Sequence, residues 1–193
     1  ASSETMDSGV ALMKSPDKIL RYAGTDELVC LEMGFGDSYD GVILNASEEW
    51  WLLCRFSDFV PDGFACVRPR DVVRAFKARP FFQRIYQREG LLAHVQQPFS
   101  INLLDAKSIL ADLRKHCPLI ILDFEYEKPT CLYLGRVDRL AKSHLLFDGI
   151  DPAGKWYEEN PRRVDYEDIS AIRFGTLYAE MFAKYSPALQ DSR

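Results

Sequence analysis

Long apolar runs and cysteine motifs are both missing from this 193-residue chain. No run approaches the roughly 18 apolar residues of a transmembrane helix, so we expect no membrane span. The polar first residues lack the basic and apolar regions of a secretory signal peptide. The five cysteines contain no Cys-x-x-Cys pair and lie in or beside apolar stretches. We therefore expect reduced, buried thiols and a cytoplasmic location.

The spacings of known catalytic and metal-binding motifs are missing as well. His94, His116 and His144 have no histidine partner one helical turn away, and no Walker, dinucleotide or Gly-x-Ser-x-Gly pattern occurs. Asp71 and Asp168 recur at matching places in the two halves of the chain, but each precedes a strand-like segment, where aspartate commonly caps a turn. We therefore expect no catalytic residue, no metal site and no cofactor.

Apolar residues, by contrast, are plentiful. They make up 47% of the chain and include 12 Phe, 9 Tyr and 3 Trp, which is enough to build a core and excludes general disorder. The net charge of −5 gives no global positive field that would draw the chain to nucleic acid.

An internal repeat is the most informative feature of the sequence. The aligned segments are residues 40–44 with 134–138, 49–53 with 143–147, and 70–73 with 167–170. Gly41 aligns with Gly135, and an aromatic-rich helical segment follows each copy. Matched elements in the same order indicate a duplication. A glycine inside a strand pattern predicts a bulge or bend, such as a small barrel needs.

The repeat predicts an N-terminal tail over residues 1–12, a first helix-plus-barrel unit over 13–92 and a second over 93–193. Pro16 and Asp105 are typical of helix starts, and short β-rich segments follow each helix. The segments 61–63 (Pro-Asp-Gly) and 151–154 (Asp-Pro-Ala-Gly) predict turns. The expected fold is mainly β with short flanking helices (α+β), as two duplicated small antiparallel barrels packed together.

The segment Trp50-Trp51-Leu52-Leu53 is apolar on both faces of a strand. We expect it to be covered twice, because a small barrel is marginally stable alone and the two units should pack on each other. The alternative is an exposed Trp51 that binds a partner.

The strand pattern with an early glycine resembles the Sm-like and SH3-like small barrels. Ala171-Ile172-Arg173-Phe174-Gly175 is similar to the second Sm motif, in which Ile-Arg-Gly precedes the last strand, although Phe174 intervenes here. Val73-Arg74-Ala75 in the first unit lacks the glycine, and the asparagine of the Sm RNA-binding loop has no counterpart. Residues 164–175 also resemble endings of uncharacterised bacterial small-barrel proteins. The resemblance implies a fold, and a fold does not determine function.

A basic segment over residues 68–88 stands out in this acidic chain. Seven basic residues against one acidic residue give it a net charge of +6. They are Arg68, Arg70, Arg74, Lys77, Arg79, Arg84 and Arg88. Phenylalanines and a tyrosine are interleaved, which is typical of single-stranded nucleic-acid binding. Alternatively, the arginines pair with the acidic second unit or form a solvated helix face.

Three functions remain open from the sequence. The first is a non-enzymatic interaction or scaffold protein that binds a protein partner or a copy of itself. The second is RNA or single-stranded DNA binding through residues 68–88, with Arg74 and Arg84 in the interface. The third is an enzyme with a site assembled between the two units from Asp, Tyr and His residues.

Overall fold

The structure is a computed structural model that describes residues 16–93, 95–124 and 131–190, so the predicted tail over 1–12 lies outside the described residues. The strands are β1 Leu28–Met33, β2 Ser38–Ala46, β3 Trp51–Ser57, β4 Val60–Val67, β5 Val72–Lys77, β6 Ile120–Phe124, β7 Cys131–Leu140, β8 His144–Gly149, β9 Arg162–Asp165 and β10 Ala171–Phe174. The helices are α1 Pro16–Ile19, α2 Pro80–Arg88, α3 Ala106–His116, α4 Leu177–Tyr185 and α5 Pro187–Gln190. None of these helices has the length and apolar character that crossing a membrane requires.

The ten strands form one antiparallel sheet in the order β5-β1-β2-β3-β4-β10-β6-β7-β8-β9. This confirms a mainly β fold with flanking helices. The sheet is open, however, and does not divide into the two closed barrels that the repeat predicts. The edge of β4 that would be needed to close the first unit is instead paired with β10 of the second unit.

Both halves of the sheet repeat the same strand order and register. Gly41 lies opposite Val29 and Arg55, while Gly135 lies opposite Ile120 and Gly149. A bulge follows two residues after each of these glycines, between positions 43 and 45 and between positions 137 and 139. The sequence alignment of the two glycines therefore corresponds to equivalent positions in the sheet, next to the predicted irregularity.

The backbone of the neighbouring strand comes so close to positions 41 and 135 that only glycine fits there. A Cβ atom on Gly41 would lie 2.3 Å from the Cys54 carbonyl oxygen, and one on Gly135 would lie 2.0 Å from that of Asp148. Both distances are far below van der Waals contact, so any larger residue would force the strands apart.

One predicted turn is misplaced. The segment 61–63 lies inside β4, and the preceding hairpin turns instead at Asp58 and Phe59, whose φ angles of 46° and 67° are in the left-handed region. Turn propensity favoured Pro-Asp-Gly, but strand pairing places the reversal earlier. The turn at 151–154 is confirmed: the Asp151 carboxylate accepts hydrogen bonds from the Ala153 and Lys155 amides.

The tryptophan strand is covered on both faces, as expected. Trp50 packs with residues of α3 and of the second half, whereas Trp51 packs in the core of the first half. Each side chain is only 1% exposed. Trp51 therefore does not provide the exposed partner-binding anchor that was the alternative, because strands of the first half enclose its ring.

Candidate binding surface

The structure separates the seven residues of the basic segment into three groups. The first group, Arg68 and Arg70, reaches the second half. Arg68 is 4% exposed, and its guanidinium donates hydrogen bonds to the carbonyl oxygens of Ile169 (2.9 Å) and Tyr166 (2.7 Å). Arg70 lies 3.5 Å from the Glu167 carboxylate. Arg68 and Arg70 therefore follow the alternative in which the arginines pair with the second unit.

The second group pairs within the first half. Arg74 on β5 lies 3.0 Å from Glu32 on β1, and Lys77 lies 2.6 Å from Glu27. Both ion pairs involve the end strand β5 and are substantially solvent-exposed. Exposed pairs of this kind contribute little stability, but they do neutralise part of the predicted positive surface.

The third group consists of Arg79, Arg84 and Arg88, at the start and along the outer face of α2. All three are exposed, and none forms an ion pair with another described residue. Arg84 and Arg88 are four residues apart and so share a face of the helix. Within the basic segment, the arginines that form no ion pair with a described residue thus lie at the start of α2 and along it.

Aromatic rings accompany these arginines. Phe81 and Phe82 are 62% and 43% exposed, and the ring of Phe82 stacks on that of Phe59 with centroids 6.0 Å apart. Phe59 is held in place because its amide donates a hydrogen bond to the hydroxyl of buried Tyr86 (3.2 Å). We call Phe59, Phe81 and Phe82 the aromatic patch.

A pocket of about 240 Å³ opens between α2 and the sheet, beside the aromatic patch. We call it the α2 pocket. Its lining residues are Leu28, Val29, Cys30, Asp40, Phe76, Ala78, Arg79, Phe82 and Tyr86. Cys30 lies directly opposite Asp40 on β2 and Phe76 on β5, so these three residues share the sheet face beneath the helix.

The second half provides an internal comparison. Its equivalents of Cys30 and Asp40 are Ile121 and Leu134, which face each other in the same register and are buried with Ala179 of α4. The helices α2 and α4 both have nine residues, and Phe82 and Tyr86 of α2 correspond to Ala179 and Ala183. The groove beside these two alanines faces the loop before β6 and does not include Ile121 or Leu134. The α2 pocket thus occurs where the first half has a thiol and a carboxylate on the sheet and two aromatic rings on the helix, and the second half has two large apolar residues and two alanines.

Burial raises the pKa of two ionisable groups of the α2 pocket, Cys30 and Tyr86. Burial, together with a hydrogen bond to Asp40, raises the pKa of the Cys30 thiol well above its ordinary value. Burial also raises the pKa of Tyr86. Both groups are therefore protonated at neutral pH, which makes Cys30 a poor nucleophile. Asp40 supplies the carboxylate of the pocket and Arg79 the cation.

Charged groups at the junction between the halves are engaged with one another. Asp123 is 2% exposed and forms two hydrogen bonds with Arg173, at 2.6 and 2.7 Å. Burial lowers the pKa of Arg173, but the bonds to Asp123 more than offset this and the net shift is upward. Arg68 joins the two halves through its hydrogen bonds to the carbonyl oxygens of Tyr166 and Ile169. Asp123 and Arg173 pair within the second half, so the Asp123 carboxylate is engaged and is not free for acid–base work.

No protein-family model matches the sequence, and no curated protein matches it. Within residues 16–93, 95–124 and 131–190, no group of three or more His, Cys, Asp or Glu side chains is arranged to hold a metal ion. The argument for function therefore depends on the α2 surface itself.

Sequence reasoning identified the arginines of this surface but missed Cys30, Asp40 and Phe59. A signal for Asp40 was present, because the repeat aligns this charged residue with Leu134. A polar residue at a position that is apolar in the other half marks a place where the two halves differ. Phe59 carried no such signal, because its position depends on the turn at 58–59.

Proposed function

We propose that this chain is a non-enzymatic interaction protein whose α2 surface binds a short acidic segment of a partner protein that contains one tyrosine or tryptophan. The observation that carries the proposal is the α2 pocket itself. It is open in the first half, whereas large apolar residues occupy the equivalent sheet positions in the second.

The size and lining of the α2 pocket support a single aromatic side chain as its occupant. A volume of about 240 Å³ is smaller than the roughly 300–1,000 Å³ of pockets that enclose whole drug-sized ligands. Phe76, Phe82 and Tyr86 offer ring faces and edges for stacking. The Asp40 carboxylate is an acceptor for the O–H of tyrosine or the N–H of tryptophan.

The charge around the pocket supports acidic residues on either side of that aromatic side chain. Arg79, Arg84 and Arg88 are exposed and form no ion pair within the described chain. Carboxylates of a partner would complement them and speed its association. The protonated Cys30 favours binding over catalysis.

We also propose that the two halves are duplicated units related to the Sm-like or SH3-like barrels, opened where they join. The shared strand order and the matching registers around Gly41 and Gly135 support this origin. Cys30, Cys54, Cys66 and Cys117 are free thiols, in keeping with a cytoplasmic location.

A labelled peptide tests the proposed partner. The probe is a fluorescein-labelled peptide with one tyrosine flanked on both sides by glutamates, and binding is followed by fluorescence anisotropy. We expect Asp40→Leu, which introduces the residue found at the equivalent Leu134, to weaken binding at least about tenfold, which is about 1.4 kcal/mol. Arg70→Ala, outside the α2 surface, serves as the matched control and should bind like the wild-type chain.

A peptide with alanine in place of the tyrosine should bind much more weakly. Equal binding of the two peptides, or unchanged binding by Asp40→Leu, would contradict the proposal, because the pocket would then play no part.

Single-stranded nucleic acid is the second candidate, favoured by the stacked and exposed rings of Phe59 and Phe82 beside three arginines. Bases stack on such rings, and the affinity would fall steeply with salt. Arg84→Glu should abolish retention of a labelled oligothymidylate, whereas Asp40→Leu should preserve it. The response to Asp40→Leu thus separates the two candidates.

A further inference from the structure

Two strands, β5 and β9, end the sheet formed by the described residues. Among the described residues, no strand pairs with the outer row of backbone groups on either of them. Such edges are templates for pairing with another chain, and proteins commonly protect them.

The junction inside the chain shows how two halves of this kind can be joined. In it, β4 pairs with β10, with Val67 opposite Ala171 and Cys66 opposite Ile172. Cys66 and Ile172 are completely buried. The Arg68 side chain then reaches the carbonyl oxygens just before β10.

The two free edges are the structural equivalents of the two strands joined inside the chain. Strand β9 corresponds to β4, because Val164 lies opposite Leu145 just as Val67 lies opposite Trp51. Strand β5 corresponds to β10, because Lys77 lies opposite Val29 just as Phe174 lies opposite Ile120. In backbone terms, β9 of one copy could therefore pair with β5 of a second copy by repeating the internal junction.

The side chains at these positions oppose that pairing. Arg163 stands where Cys66 is buried, and Arg162 stands where the internal junction has Ala65. The receiving strand β5 carries no carboxylate that could pair with these arginines, and its own Arg74 and Lys77 are already paired with Glu32 and Glu27. Arg163 pairs with Asp165 at 2.9 Å, and the two side chains are 59% and 49% exposed. A second strand at this edge would bury this ion pair in an apolar place, where the lost hydration of both charges is strongly unfavourable.

Arg68, which bridges the internal junction, has a residue of opposite charge at the equivalent position of the β9 edge. Asp165 follows β9's Val164 just as Arg68 follows Val67, so a carboxylate stands where an arginine donates to carbonyl oxygens at the internal junction. An ionised carboxylate only accepts hydrogen bonds, so Asp165 cannot form the bonds that Arg68 forms, and it is already bound to Arg163.

We infer that Arg162, Arg163 and Asp165 keep the β9 edge from pairing with the β5 edge of a second copy, so the chain stops at two halves. This inference is independent of the α2 surface. It implies that the partner is a different protein and not a second copy joined through the sheet edges.

The inference is tested by giving β9 the kind of residues that β4 has at the internal junction. The triple variant Arg162→Ala, Arg163→Ala, Asp165→Arg makes β9 resemble β4, and sedimentation velocity measures association over a series of protein concentrations. We expect the wild-type chain to stay monomeric and the triple variant to form head-to-tail oligomers whose mass rises with concentration. Arg162→Lys, Arg163→Lys, Asp165→Glu keeps every charge and should stay monomeric.

If the triple variant does not fold, as judged by circular dichroism, Arg163→Ala alone should still produce weaker, concentration-dependent association. A wild-type chain that associates as strongly as the triple variant would overturn the inference. So would a folded variant, triple or single, that remains as monomeric as the charge-retaining control.

Discussion

Arg68 and Arg70 are two residues apart in the chain but lie in opposite environments. Arg68 is buried, stacks 4.4 Å from the Trp50 ring and donates hydrogen bonds to two carbonyl oxygens of the second half. Burial lowers the pKa of its guanidinium, which nevertheless stays charged because arginine titrates far above neutral pH. Arg70 is exposed and meets Glu167 in solvent. A pattern of basic residues alone cannot distinguish these two roles.

The contribution of Arg68 can be measured by its replacement. Arg68→Met keeps the apolar stem but removes the donor from the carbonyl groups of Tyr166 and Ile169, so we expect the free energy of unfolding to fall by about 2–4 kcal/mol. Urea denaturation is the measurement. Arg70→Met should change stability by no more than about 0.5 kcal/mol. Equal losses in the two variants would mean that the buried hydrogen bonds are not what stabilises this junction.

At the scale of single elements, the strands around Gly41 and Gly135 are the most constrained. Each glycine lies against a carbonyl oxygen of the next strand and just before a bulge. The close approach at two equivalent places determines how both halves bend.

Alanine at Gly135 should therefore be severely destabilising. Its Cβ would meet backbone at 2.0 Å, and we expect a loss of about 3 kcal/mol or more in urea denaturation. Gly90→Ala is the control, because nothing lies within 4 Å of its Cβ and only its φ of +66° opposes the change. It should cost about 1–2 kcal/mol. If Gly135→Ala cost no more than this control, the close approach at 135 would not be essential.

Elements that depend on the local sequence pattern could be predicted from the sequence. The repeat placed Gly41 and Gly135 in equivalent strands, and the double apolar character of Trp50 and Trp51 predicted a strand covered twice. The pairing of β4 with β10 was not accessible, because it depends on which edges remain free after each half has formed. The α2 pocket could not be predicted from the likeness of the two halves, because it lies where their residues differ.

At the scale of the whole molecule, the halves share both a sheet and a core. The sheet is continuous through β4 and β10, and one hydrophobic cluster combines Trp50 and Leu52 with residues of the second half such as Phe147. Neither half can unfold without exposing part of the other. We therefore expect the chain to unfold as a single cooperative unit, despite its two-part sequence.

Denaturation with two probes tests that cooperativity. In Trp156→Phe, the remaining fluorescence comes from Trp51 in the core of the first half and from Trp50 in the core shared with the second half, while far-ultraviolet circular dichroism reports on both halves. We expect one transition with the same midpoint by both probes, since the halves unfold together. A second transition seen by circular dichroism alone would indicate that the halves unfold separately.

The junction between β4 and β10 also has a consequence for synthesis of the chain. Arg68 and Ile169 are 101 residues apart, so a ribosome working at about 5–20 residues per second needs roughly 5–20 seconds to deliver the partner of β4. During that interval Ala65, Cys66 and Val67, all completely buried in the finished fold, form an uncovered apolar strand edge. Edges of this kind recruit other nascent chains. The first half is therefore most vulnerable to aggregation while the second is still being translated.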